Sequence, residues 1–201
     1  MTEVAHTPPK LTFQRALKPV VFVLCLGPIL WLGYRGIVGH LGANPIETVI
    51  RYLGDWALRF LLIALAVTPV RILSGYTPIG RLRRMLGLFA FTYVVLHMLA
   101  YIGLDRLFDW NELWKDVVKR VYITVGMAAF AMLLPLAITS TDAMVRRMGG
   151  RAWRRLHTLA YPAGIAAVIH YALMIKAGFL QPIIYAAILG LLLAARVFKK
   201  A

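Results

Sequence analysis

Three histidines carry whatever chemistry this chain performs: His97, His157 and His170. Each stands in or at the edge of a run apolar enough to cross a bilayer, where an ionisable side chain is costly and tends to serve a function. His97 lies 13 residues beyond Arg84, in RRMLGLFAFTYVVLHMLAY. At 1.5 Å per residue that is roughly 20 Å into the membrane from the basic end. His170 lies 14 residues beyond Leu156, in LHTLAYPAGIAAVIHYALM, or roughly 21 Å by the same rule. Two neutral imidazoles at matching depth, from different helices, are what a six-coordinate b-type haem requires. The same pair would also serve a proton relay, or hydrogen bonding between helices. Ala163, Gly164, Ala166 and Ala167 leave room for a flat macrocycle or, equally, for close helix packing.

His157 sits 13 residues before His170, about 140° away around an ideal helix, with Pro162 between them able to change that angle. The position level with it on the neighbouring span is Arg83 or Arg84, which are not haem ligands. An inner site therefore has one obvious histidine. His157 is open to three roles: a second haem with another or no partner, contact with a flavin or quinone, or the cap of an interfacial network. His6 and His40 fall in polar segments and read as solvated. Met98, Met127 and Met132 read as packing residues rather than axial ligands.

The elements that must hold these residues are transmembrane helices. Of 201 residues 61% are hydrophobic and 15% charged, with a mean hydropathy of +0.73, a composition foreign to soluble domains. Windows near 17–37, 54–73, 84–104, 121–139, 156–175 and 179–198 each match the length of a spanning helix. The expected fold is an all-α integral membrane protein, a bundle of six transmembrane helices forming a single domain over 1–201, with residues 1–12 as a disordered tail. The first window is too long for a signal-peptide core and lacks a cleavage site, so it reads as a retained span.

The net charge of +15 follows topology, not nucleic-acid binding. Lys10, Arg15, Lys18, Arg71, Arg81, Arg83, Arg84, Arg146, Arg147, Arg151, Arg154, Arg155, Arg196, Lys199 and Lys200 all fall on one side of the bundle. Six of the eight acidic residues fall on the other. The positive-inside rule then places both termini in the cytoplasm. The outward segments are 38–53, with turn signals at Gly42 and Asn44-Pro45 ahead of a short amphipathic piece, and 105–120, which reads as an interfacial helix anchored by Trp110 and Trp114. The single cysteine, Cys25, permits neither an internal disulfide nor a cysteine-ligated metal centre. No Rossmann fingerprint or P-loop occurs, so a nucleotide-borne reductant must come from another molecule.

Taken in order, GANPIETVIRYLGDWALR, LAVTPVR, RRMLGLFAFTYVVLHMLAY and LAITSTDAMVRRMGGRAWRRLHTLAYPAGIAAVIHYALMIK resemble the haem-binding membrane subunits of the bacterial methionine-sulfoxide reductase system, the MsrQ (YedZ) family. That family belongs to the ferric-reductase-like transmembrane superfamily. The resemblance implies an inner-membrane, multi-pass b-type cytochrome with one or two haems b. Such a subunit passes electrons outward to a periplasmic molybdopterin reductase, MsrP, which repairs oxidised methionines. It also implies quinone, or a cytosolic flavin reductase, as donor, and FMN beside haem; no stretch here is an FMN motif. By motif the family's haem histidines fall on His97, His157 and His170. The chain would be an electron-transfer subunit and not the catalytic one. It departs from the wider superfamily, whose ferric reductases and NADPH oxidases carry two histidine pairs and an attached flavin and nucleotide domain. The rival readings are a quinol or ferric reductase with another acceptor, and a colourless proton-coupled transporter using the histidines as a relay.

Overall fold

The computed structural model describes residues 9–175 and 178–197, with side chains described from Leu17 onward and through Arg196. His6, Lys176, Lys199, Lys200 and the first eight residues of the expected tail lie outside the described residues. The rest of that tail, from Pro9, forms the first turn of helix α1.

The described residues form nine α-helices and no strand. They are α1 (Pro9–Ile37), α2 (Pro45–Ser74), α3 (Leu82–Ala100), α4 (Trp110–Lys119), α5 (Val121–Ile138), α6 (Asp142–Met148), α7 (Gly150–Leu156), α8 (Ala160–Met174) and α9 (Leu180–Val197). Five spans are long and apolar enough to cross a membrane: Leu17–Ile37, Pro45–Ser74, Thr77–Asp105, Val121–Ile138 and Gly150–Met174. The sixth expected window is the shorter apolar helix Leu180–Arg196.

Helix α2 starts earlier than the hydropathy window suggests. Asn44 caps it by accepting a hydrogen bond from the Glu47 N–H at 3.3 Å, and Pro45 sits where a missing N–H costs nothing. The amphipathic piece after Asn44 is thus the N-terminal end of the second span, not a separate interfacial segment. Gly75, at φ 66°, ends the helix in the left-handed conformation. The 105–120 segment contains α4, with Asp109 capping Asn111 and Glu112; Trp110 and Trp114 are exposed on it.

The bundle is built from two helical hairpins, α2 with α3 and α5 with α8. Helix α1 packs on the first pair, held at its proline. Pro28 interrupts the helix ladder. Beside it the fully buried Tyr93 of α3 inserts its hydroxyl between the Ile29 N–H, from which it accepts at 3.1 Å, and the Cys25 carbonyl, to which it donates at 3.0 Å. A broken helical bond is thereby replaced by a tie between helices. Helix α9 is fastened from α2, where Arg59 donates to the Tyr185 hydroxyl at 3.0 Å. At its other end Arg196 donates to the Leu65 carbonyl at 2.7 Å and to the Tyr161 hydroxyl.

The turn near Pro162 takes a different form from a kink. A 3-10 segment, His157–Leu159, joins α7 to α8, and Pro162 stands in the first turn of the new helix. Without an N–H to bond the carbonyl four residues back, the chain restarts its helix there.

Candidate functional site

His97 on α3 and His170 on α8 meet where the two hairpins adjoin. Their ring centroids are 6.2 Å apart and their planes lie at 79°. The two histidines at matching counts from the basic ends thus stand beside each other.

Each ring is oriented by the other helix of its hairpin. His97 Nδ1 lies 2.9 Å from the Ile50 carbonyl oxygen of α2, and His170 Nδ1 lies 2.6 Å from the Tyr122 carbonyl oxygen of α5. A carbonyl only accepts, so both Nδ1 atoms carry the proton and donate. That fixes the tautomer and leaves each Nε2 with an unprotonated lone pair. An imidazole tied through Nδ1–H to a backbone carbonyl is the usual posture of a metal-ligating histidine. The separation fits as well. Two metal–nitrogen bonds of about 2 Å, plus about 1 Å from each nitrogen to its ring centre, place two ring centroids roughly 6 Å apart across one ion.

Two glycines complete the arrangement, and residue counting had not singled them out. A Cβ built on Gly54 of α2 would meet His97 Nδ1 at 3.0 Å and Cε1 at 3.1 Å. One built on Gly126 of α5 would meet His170 Nδ1 at 2.8 Å and Cε1 at 2.9 Å. The available signal was the repeated spacing IRYLG and YITVG, a glycine inside an apolar helix where alanine would be the cheaper choice.

Among the described residues no group of three or more His, Cys, Asp or Glu side chains converges. A metal at the pair would take two ligands from the protein and the rest from elsewhere. The small residues of α8 divide between roles: Gly164 is a packing position, where a Cβ would touch Leu189 and Leu65 Cδ1 at 3.4 Å, and Ala163 is fully buried in the core. Their value as space for a macrocycle gains no support from those contacts.

His157 stands apart. Its ring stacks on Trp153 with centroids 3.8 Å apart and 27° between planes. Its Nε2 lies 3.2 Å from the Thr139 hydroxyl. That hydroxyl gives its own proton to the Pro135 carbonyl at 2.6 Å, so His157 Nε2 is the donor and the free lone pair is on Nδ1. Trp153 Nε1 also donates to the Thr139 carbonyl, at 2.8 Å. His40 is exposed, Met127 is exposed at 41%, and Met132 packs against the core.

Beyond His97, past the C-terminal end of α3, stands a buried carboxylate. Asp116 of α4 accepts from the Tyr101 hydroxyl at 2.5 Å and pairs with Arg106 at 2.7 Å and Arg120 at 2.8 Å. The mixed charges of 105–120 thus form an internal clamp as well as a surface.

Residues 53–178 match the family described as the ferric reductase like transmembrane component. The chain is 60% identical over 176 residues to a protein of Rhodospirillum rubrum, covering 88% of this chain and 85% of that one. It is 51% identical over 180 residues to one of Caulobacter vibrioides (90% and 86%), and 49% identical over 195 residues to one of Herminiimonas arsenicoxydans (96% and 88%). All three are named protein-methionine-sulfoxide reductase heme-binding subunit MsrQ. With five candidate spans and bacterial relatives of this kind, it is a multi-pass protein of the bacterial inner membrane. By its helical bundle, its matched core and these relatives, the chain belongs to the MsrQ family of ferric-reductase-like transmembrane proteins.

Proposed function

We propose that this chain is a b-type cytochrome subunit in which His97 and His170 are the axial ligands of one haem. The observation that carries the reading is the facing pair itself, with rings 6.2 Å apart and both Nδ1 protons committed to backbone carbonyls. Two protein ligands, with no third acidic, thiol or imidazole group converging among the described residues, suit an iron whose other four ligands belong to a porphyrin. Bound haem supplies a one-electron ferric/ferrous couple at this depth. The protein residues hold the ligand planes, keep both Nε2 atoms unprotonated and surround the site with apolar helices. The related proteins' name as heme-binding subunits supports the same group.

The direction of transfer rests on charge. With α9 counted as a span the bundle has six crossings and both ends on the basic, cytoplasmic side. The pair then lies in the outer half of one single domain, suited to deliver electrons to a periplasmic acceptor. The relatives' name points to a methionine-sulfoxide reductase system, so the acceptor is taken as its molybdopterin reductase MsrP, docking on segments 38–53 and 105–120. Electrons enter at the inner end, near His157, from quinol or a cytosolic flavin reductase; FMN belongs with that donor side. A second haem on His157 requires its Nε2 to leave Thr139 or its ring to present Nδ1.

The test is an absorption spectrum of detergent-purified protein, oxidised and dithionite-reduced, beside His97→Ala and His170→Ala. A low-spin b-type spectrum lost in both variants is expected. Protein that stays colourless with ample haem supplied overturns the reading in favour of proton-coupled transport by the same two histidines.

A further inference from the structure

In an α-helix each carbonyl already accepts the N–H four residues on, and it keeps a second lone pair. That lone pair is normally shielded. The Cβ of residue i+4 tilts toward the helix N-terminus and covers the carbonyl of residue i. A side chain from a neighbouring helix reaches that oxygen where a proline has already broken the ladder, as at Cys25 beside Pro28 and Leu65 before Pro69. In an unbroken helix it does so most readily where residue i+4 has no Cβ. Ile50 with Gly54, and Tyr122 with Gly126, are two such openings. In both, the atoms nearest the missing Cβ are Nδ1 and Cε1 of the ligand imidazole. The same device thus occurs once per hairpin, on different helices with different sequences. Glycine in a helix interior costs roughly 1 kcal/mol relative to alanine, and two at equivalent places against two histidines need a reason.

We propose that Gly54 and Gly126 are positioning residues: they bare the Ile50 and Tyr122 carbonyls so that His97 and His170 can donate through Nδ1 and keep the Nε2 lone pair free for a metal. The proposal rests on the haem reading and adds to it the residues that set ligand geometry and basicity. A methyl group at Gly126 would lie 2.8 Å from His170 Nδ1, closer than Cβ contacts occur, so the ring must move and its bond to Tyr122 is lost. At Gly54 the contact is 3.0 Å, and a shift of a few tenths of an ångström relieves it. Gly126 is therefore the stricter seat. Losing the carbonyl bond makes the imidazole less basic and less favourable to ferric iron, so the reduction potential should rise.

The experiment compares haem-replete Gly126→Ala and Gly54→Ala with Gly87→Ala and Gly190→Ala, two positions where an added Cβ meets nothing within 4 Å. Each variant is checked by size-exclusion profile and helical circular dichroism, then by oxidised and reduced spectra, carbon monoxide binding and potentiometric titration. Gly126→Ala is expected to lose its low-spin spectrum in favour of a five-coordinate haem that binds carbon monoxide when reduced. Gly54→Ala should convert partly and shift its potential upward, and the two controls should match the parent. If Gly126→Ala does not fold, Gly54→Ala decides the matter by the same two readouts. A folded seat variant with the parent's spectrum and potential, no carbon monoxide binding and no difference from Gly190→Ala overturns the positioning role while leaving haem ligation standing. A colourless parent protein instead sinks the haem reading on which the proposal rests.

Discussion

The paired histidines and His157 differ less in residue type than in what holds them. His97 and His170 donate through Nδ1 to backbone carbonyls of a neighbouring helix and leave Nε2 free, each pressed against a glycine. His157 donates through Nε2 to a threonine hydroxyl and lies flat on Trp153. A histidine oriented by a rigid carbonyl is prepared to coordinate without rearranging. One oriented through its Nε2 by a hydroxyl is prepared for contact, or must give up a bond first. Depth alone, which is all that residue counting supplies, does not separate these cases.

His157→Ala breaks that comparison most directly. If the two ends are independent, the variant keeps the low-spin bands expected of the His97–His170 pair, where His170→Ala abolishes them. Haem per chain sharpens the result: a fall of one equivalent in His157→Ala, with those bands intact, assigns a second haem to the His157 end. Loss of all haem in His157→Ala would mean that the ends fold or load as one unit and that the comparison is wrong.

A smaller effect is expected at the Asp116 clamp, whose Tyr101 lies one helical turn beyond His97. Asp116 is 5% exposed and receives Tyr101, Arg106 and Arg120. Asp116→Asn leaves two guanidiniums facing an amide in a partly desolvated place, and should cost about 2–3 kcal/mol. A lower thermal midpoint in detergent measures it. The haem bands of the surviving folded protein should be unmoved, since the clamp touches neither imidazole; a spectral shift would show that it positions His97.

The difference between the two ends also explains what the sequence made legible. The helical membrane class follows from apolar runs of spanning length, and the pairing of His97 with His170 from counting 13 and 14 residues from the basic ends, because helical rise is nearly constant. The seats were not legible, since the partner of Nδ1 is a backbone carbonyl, which every residue has. Only Gly54 and Gly126 mark those carbonyls, and which glycine faces which histidine depends on how two hairpins pack. His157 was located but not its tautomer, which is set by the Thr139 hydroxyl and Pro135 carbonyl across a turn. The tie of Tyr93 into the α1 ladder was hidden for a similar reason: Pro28 announces a break, not what fills it.

The smallest effect concerns the basic end of the bundle, where Asp142 stands among arginines and pairs with Arg84 at 2.6 Å. The hydrogen bond and charge of Arg84 hold the Asp142 carboxyl below its ordinary value, with Arg146 and Lys18 adding to the pull. A carboxyl whose folded pKa is depressed contributes stability that is fully present above its unfolded value and is lost as pH falls through the folded one. The tie between α3 and α6 should therefore be constant from about pH 5 to pH 8 and weaken only below about pH 4. Both partners are well exposed, so its contribution is slight. Asp142→Asn should leave thermal midpoints and haem spectra at neutral pH within error of the parent and remove only a shallow acid-side slope. A pronounced change between pH 6 and pH 7 that Asp142→Asn removes would show that the tie contributes far more than its exposure allows.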